Sequence, residues 1–162
     1  MIKTLLLYFT FGISICFISW IVGIIGHAAL MKSASYGRLK HLNFIRSDAV
    51  NQMLGIRLLR WIVKNTFFRI FNPNLKVDGK NINLAWIREE MCKAEISHLI
   101  AFTFTLGFAL YKGITVDYLF GVVIMIPNVF MNLYPSLLQQ ENKRRIDRLI
   151  GKRAATQAHH LS

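Results

Sequence analysis

Cysteine is scarce in this chain, and its scarcity removes two chemistries at once. Cys16 lies inside an apolar stretch and Cys92 inside a charged one, without CxxC spacing, so they provide no disulfide framework. A zinc site is equally unsupported. There is no HExxH, and His27, His41, His159 and His160 stand far in sequence from His98. Neither a metal nor a cofactor is expected. Acidic residues are also few, 8 Asp and Glu against 20 Lys and Arg, which leaves a formal charge of +12. Such a balance ordinarily points to nucleic acid. Here no helix-turn-helix, zinc-finger or RNA-binding motif accompanies it, and the basic residues flank apolar segments, as in loops that lie against anionic lipid. No internal repeat is evident.

What the chain does have is apolar length. Hydrophobic residues make up 54% of its 162 positions and charged ones 17%, the balance of an integral membrane protein. The expectation is an all-α fold with about three transmembrane helices and one interfacial amphipathic helix, in a single membrane domain over 1–162. Residues 5–30 form an apolar N-terminal helix long enough to cross a core of about 30 Å, read as a retained anchor with a cleaved signal-like leader as the alternative. Between Lys32 and Lys80, ten Lys or Arg face Asp48 and Asp78. Within that span, residues 53–71 carry Arg57, Arg60 and Lys64 at i, i+3, i+7 with Leu58, Leu59, Trp61, Ile62 and Phe68 largely elsewhere, a helix for the headgroup region. Asn72-Pro73-Asn74 stops it, and Val77–Lys80 reads as a turn.

Residues 90–138 hold a polar cluster and a helical hairpin. Its arms are Ile96–Tyr111, short for a full span, and Val116–Leu138, with a link at Lys112–Thr115. Asp117, Pro127, Asn128, Asn132 and Pro135 make the second arm a kinked helix that faces protein or water on one side. Residues 139–162 form a basic tail, frayed from Ala154. The positive-inside rule places the 32–80 segment and this tail in the cytoplasm and the N-terminus outside, for a multi-pass protein of the cell membrane.

The run Glu90-Met91-Cys92-Lys93-Ala94-Glu95-Ile96-Ser97-His98 leads directly into the first arm. Ionisable groups beside a membrane helix are costly and need a partner or a task. On a helix, Glu95 and His98 share a face, so a carboxylate can orient an imidazole that takes a hydroxyl proton. An interfacial cap in which Glu90 and Glu95 pair with Lys93 or the tail arginines explains the same spacing. The second constellation is Asn132, Gln139, Asn142 and Arg145. Its amides suit interhelical hydrogen bonds as well as a polar ligand or an oxyanion, and Arg145 suits a phosphate or carboxylate. Lys143, Arg148, Lys152 and Arg153 read as solvated tail charges.

At these residues the chain resembles the glycosyl-4,4'-diaponeurosporenoate acyltransferase family. Glu90-x-x-Lys93-Ala94-Glu95-x-x-His98 is similar to that family's E-T-K-R-A-E-x-x-H-W element. Asn132-x6-Gln139-x2-Asn142-x2-Arg145 resembles its N-x-P-x4-Q-R-Y-N-R-x-R element, and Ile56–Trp61 resembles a basic segment with Trp. Leu99 stands for the Trp after the histidine, Gln140-Glu141 for Arg-Tyr and Lys143 for an Arg, while Pro135 falls one place late. The resemblance implies a membrane acyltransferase that esterifies a sugar hydroxyl of a glycosylated carotenoid or related glycolipid with a fatty acyl chain. Its partners are then that lipid acceptor, an acyl donor and the membrane. It implies His98, Glu95 and Glu90 as catalytic residues, with Glu90 pairing Arg145 as the alternative for that carboxylate, and Asn132, Gln139, Asn142, Arg145 and Lys93 as substrate-binding ones. The competing classes are a non-enzymatic scaffold or lipid-binding protein, and a metal-dependent lipid hydrolase.

Overall fold

The computed structural model describes residues 1–34, 36–42, 55, 61 and 83–161, without the side chains of 158–161. The expected interfacial helix at 53–71, its stop at Asn72–Asn74 and the turn at Val77–Lys80 lie outside the described residues, apart from Gly55 and Trp61. Among the described residues there is no strand. The helices are α1 (Ile2–Leu30), α2 (Tyr36–Leu39), α3 (Leu84–Thr115), α4 (Tyr118–Asn128), a π-helical turn (Val129–Leu133) and α5 (Tyr134–Leu161). Three stretches are long and apolar enough to cross a membrane: Ile2–Leu30, Leu84–Thr115 and Tyr118–Gln157. The protein has the all-α membrane fold its apolar runs called for.

The chain divides into two compact units. The first comprises Met1–Leu42 with Lys93–Ser136, and the second Asn43–Cys92 with Leu137–Ser162.

In the first unit, α1 is arranged inside out relative to a soluble helix. Its buried residues, Gly12, Ile15, Cys16, Ser19, Gly23 and His27, recur every three or four positions and are mostly small or polar. The large apolar residues Leu6, Leu7, Phe17, Ile18, Ile21, Ile24 and Ile25 are exposed instead. Lipid tails are as apolar as leucine, so nothing drives these side chains inward; small residues let backbones close up and do the packing. A Cβ on Gly23 would collide with the Ser97 carbonyl of α3. Nearer the other end, Ile15, Ala109, Phe120 and Ile124 form a buried apolar cluster. Tyr8 stacks on Phe120 with centroids 4.0 Å apart, and Phe11 meets the same ring edge-on at 5.3 Å. At the C-terminal end of α1, His27 Nε2 and the Tyr36 hydroxyl are hydrogen-bonded at 3.0 Å, which ties α2 to α1.

The α3–α4 hairpin turns later than its sequence suggested. Lys112–Thr115 is helical, and the turn falls at Val116–Asp117, where the extended Asp117 caps α4 by accepting from the Leu119 N–H at 3.2 Å. Gly121 lets the two arms approach closely: a Cβ there would stand 2.6 Å from the Ala109 carbonyl and 3.1 Å from the Gly113 Cα. The first arm is correspondingly longer than Ile96–Tyr111, because the polar run from Leu84 continues the same helix. At about 1.5 Å per residue, its 32 residues reach about 48 Å, more than a full span.

In the second unit, Asn83 caps α3 by accepting from the Trp86 N–H at 3.0 Å. Leu84 and Met91 of α3 are buried with Ile146 of α5, flanked by Ile87 and Ile150. Arg88 donates through Nε to Asp147 Oδ1 at 2.5 Å and through Nη2 to Oδ2 at 3.5 Å. The expected fraying from Ala154 is not seen. Helix α5 continues to Leu161, and Thr156 Oγ1 donates to the Lys152 carbonyl at 3.1 Å.

Candidate functional site

The long third span is broken where its prolines predict. Pro127 lies in the last turn of α4, and Pro135 follows the π turn, in which the Tyr134 N–H reaches back five residues to the Val129 carbonyl. A proline cannot donate to the ladder and crowds the carbonyl four residues before it; one extra residue in the turn makes room. The widened turn carries Asn132, which is fully buried.

Helices α1 and α4 meet on that side chain, and α3 joins through Asn128. Trp20 Nε1 of α1 donates to Asn132 Oδ1 at 3.0 Å. Asn132 Nδ2 donates to Ser19 Oγ at 3.2 Å and to Asn128 Oδ1 at 2.9 Å. Ser19 Oγ in turn donates to the Cys16 carbonyl at 2.7 Å, and Asn128 Nδ2 to the Phe102 carbonyl of α3 at 3.2 Å. The His98 ring of α3 stands edge-on to the Trp20 ring, with centroids 6.5 Å apart and planes at 87°. A half-buried imidazole is thus set beside the indole that is bonded to a buried polar network.

The remaining site residues are placed as follows. In the first unit Glu95, one turn before His98, is fully buried and Lys93 is half-buried. In the second, Asn142 is buried, Glu90 and Gln139 are half-buried and Arg145 is exposed. Lys143, expected as a solvated charge, is only 4% exposed. The half-buried amide at Gln139 also has a fully buried neighbour, Gln140. The first unit therefore sets His98 and Asn132 each against the Trp20 side chain. Among the described residues, no three His, Cys, Asp or Glu side chains gather as a metal cage.

Sequence reasoning missed Ser19, Trp20 and Ser136, and it noted Asn128 and Gln140 without assigning them to the site. Two signals point to them. Asn128, Asn132, Ser136 and Gln140 recur at i+4 along the last span, and the small or polar positions of α1 recur at i+3 and i+4 around Ser19.

Three spans and a buried polar centre beside a histidine define a multi-spanning helical membrane protein with a built polar site. Residues 32–152 match the family model for glycosyl-4,4'-diaponeurosporenoate acyltransferase, and the chain belongs to that family. No curated protein and no solved structure matches it. Helix α1, including Trp20, precedes the matched segment.

Proposed function

We propose that the protein transfers a fatty acyl chain to a sugar hydroxyl of a glycosylated carotenoid or a closely related glycolipid. Membership of the acyltransferase family over residues 32–152 carries this reading. His98 is the general base, a group whose ordinary pKa of about 6.5 suits proton transfer near neutrality. It takes the proton of the sugar hydroxyl while the oxygen forms an ester bond to the acyl carbon. The bond from that carbon to the donor's carrier then breaks, and the carrier departs with the proton that His98 returns. Glu95, buried one turn away, stabilises the transient imidazolium. Gln139 and Asn142 are assigned to the sugar and the developing oxyanion, with Asn132 in the same motif. Arg145 and Lys93 are assigned to a phosphate-bearing acyl carrier, and Glu90 joins the catalytic carboxylates. The protein works in the cell membrane, with its 32–80 segment and C-terminal helix on the cytoplasmic side.

The test is expression in a membrane that contains a glycosylated carotenoid, with lipids profiled by mass spectrometry beside a His98→Ala variant of equal abundance. A new fatty-acyl ester that the variant does not make supports the reading. An ester made equally by both removes His98 as base. If no ester forms although the protein is folded, this acceptor is wrong.

A further inference from the structure

We propose that Ser136 is a ligand contact: its hydroxyl holds the sugar ring of the lipid acceptor, about one helical turn from His98. The inference rests on the acyltransferase reading and adds a residue that selects the acceptor.

One hydroxyl is out of keeping with the rest of the chain. A serine or threonine on a helix can close its hydroxyl onto a carbonyl three or four residues back. Ser14, Ser19, Thr103, Thr115 and Thr156 all do so, at 2.7 to 3.1 Å. Ser136 does not, although it is helical and fully buried. Its Oγ has no hydrogen-bond partner among the described residues. A buried polar group left in this way costs stability, and a confined water or a role in function ordinarily accounts for it. A water needs two or more polar partners of its own. One turn earlier, Asn132 has both N–H bonds committed to Ser19 and Asn128, and its oxygen accepts from Trp20.

The register of the first unit sets this hydroxyl close to the level of the histidine. Helices α3 and α4 are antiparallel: Gly121 meets the Ala109 carbonyl, and seven residues further along each, Asn128 donates to the Phe102 carbonyl. Carried on to Ser136, the same register reaches the level of Ala94 and Glu95, with the extra residue of the π turn as the difference. That level is roughly 5 Å along the helix axis from His98, comparable to the width of one sugar ring. Ser136 also follows Asn128 and Asn132 at i+4, on the face those two amides present to α1 and α3.

A serine hydroxyl carries one donor and two lone pairs, the same inventory as the hydroxyls of a sugar. With one sugar hydroxyl at His98, its neighbour on the ring comes level with Ser136, which accepts from it or donates to it. Binding then makes a hydrogen bond that the free protein lacks. A lipid without the sugar leaves the hydroxyl unmet, so the site discriminates against it. Because Ser136 is fully buried, the ring enters only as the helices around it part. Thr105 is another fully buried hydroxyl without a partner among the described residues. It lies about 10 Å beyond His98 toward the opposite end of α3 and stands outside this contact.

The test uses the full chain in lipid bilayers with two ligands, a glycosylated carotenoid and the same carotenoid without its sugar. The chromophore of each quenches tryptophan fluorescence, which reports Kd. The wild type is expected to bind the glycoside more tightly. Ser136→Ala should weaken the glycoside about tenfold, leave the sugar-free carotenoid unchanged and melt no lower than the wild type. Ser136→Cys, similar in size and a poor donor, should behave in the same way. Thr105→Val should leave both affinities as they are.

Unchanged glycoside affinity in Ser136→Ala overturns the inference; a lower Tm beside it shows that the hydroxyl holds a water. Equal loss for both ligands overturns it too, as a packing defect, and so does a wild type with no preference for the glycoside. An added acyl donor separates the two claims. No ester from a wild type that prefers the glycoside through Ser136 sinks the acyl-transfer reading and leaves the contact standing. An ester formed by Ser136→Ala at the wild-type KM does the reverse.

Discussion

Trp20 and Asn132 are 112 residues apart in sequence and joined by a 3.0 Å hydrogen bond, indole N–H to amide oxygen. The bond ties a helix that reads as a plain membrane anchor to the one irregular turn of the last span. A double-mutant cycle with Trp20→Phe and Asn132→Leu should give a coupling of about 0.6 kcal/mol in detergent or bilayer unfolding, the usual size for interhelical bonds in membrane proteins. Zero coupling means that the bond contributes nothing to stability.

Close backbone approach should matter more than any one hydrogen bond. Gly23→Leu forces a side chain against the Ser97 carbonyl, and the backbone there cannot yield as a flexible side chain would. Overpacking of this kind costs about 1–3 kcal/mol. The variant should lose several degrees of Tm in detergent, while Gly107→Ala, where a Cβ meets nothing within 4 Å, should match the wild type.

Ser136 is fully buried, and its hydroxyl has no hydrogen-bond partner among the described residues. Burying an unsatisfied hydroxyl costs about 1–3 kcal/mol by mutational measures. Ser136→Ala should therefore unfold at the same temperature as the wild type or above it. A clear drop in Tm identifies a polar partner for that hydroxyl.

In the second unit, apolar packing should outweigh the ion pair. Ile146→Ala opens a cavity in the cluster with Leu84 and Met91 and should cost about 2–5 kcal/mol. Asp147→Asn removes a pair in which the aspartate is 45% exposed. Exposed pairs are worth about 0.2–1 kcal/mol, and less in high salt. Denaturation of the two variants side by side at two salt concentrations checks both statements.

Arg145 is exposed, so its loss should spare the fold. Arg145→Gln should raise KM for a phosphate-bearing acyl donor about tenfold with abundance and Tm unchanged. A fall in kcat alone removes the arginine from donor binding.

The three spans were legible because length and apolarity decide them, and no distant residue can reverse that. The hairpin turn was misplaced by a few residues because Lys112–Thr115, a polar break in the apolar pattern, continues the helix, and the turn waits for Asp117 to cap the next one. Asn132 stood out as a polar residue on an apolar helix, yet its partners did not, since Ser19 and Trp20 are common enough in any membrane helix. Only folding brings them alongside. Lys143 misled for a related reason: in a run of lysines and arginines, nothing local shows which one turns inward.

Lys112 closes the end of α3 with its ammonium near the faces of three aromatic rings, 5.8 Å from the centroids of Phe11 and Phe120 and 5.7 Å from that of Tyr111. Such a charged, ring-collared end does not sink into hydrocarbon, so it works as a float that sets how deep the helix rides. Fourteen residues at about 1.5 Å each put His98 about 21 Å beneath that float. In a hydrocarbon layer about 30 Å thick, the imidazole then waits about 9 Å inside the far boundary.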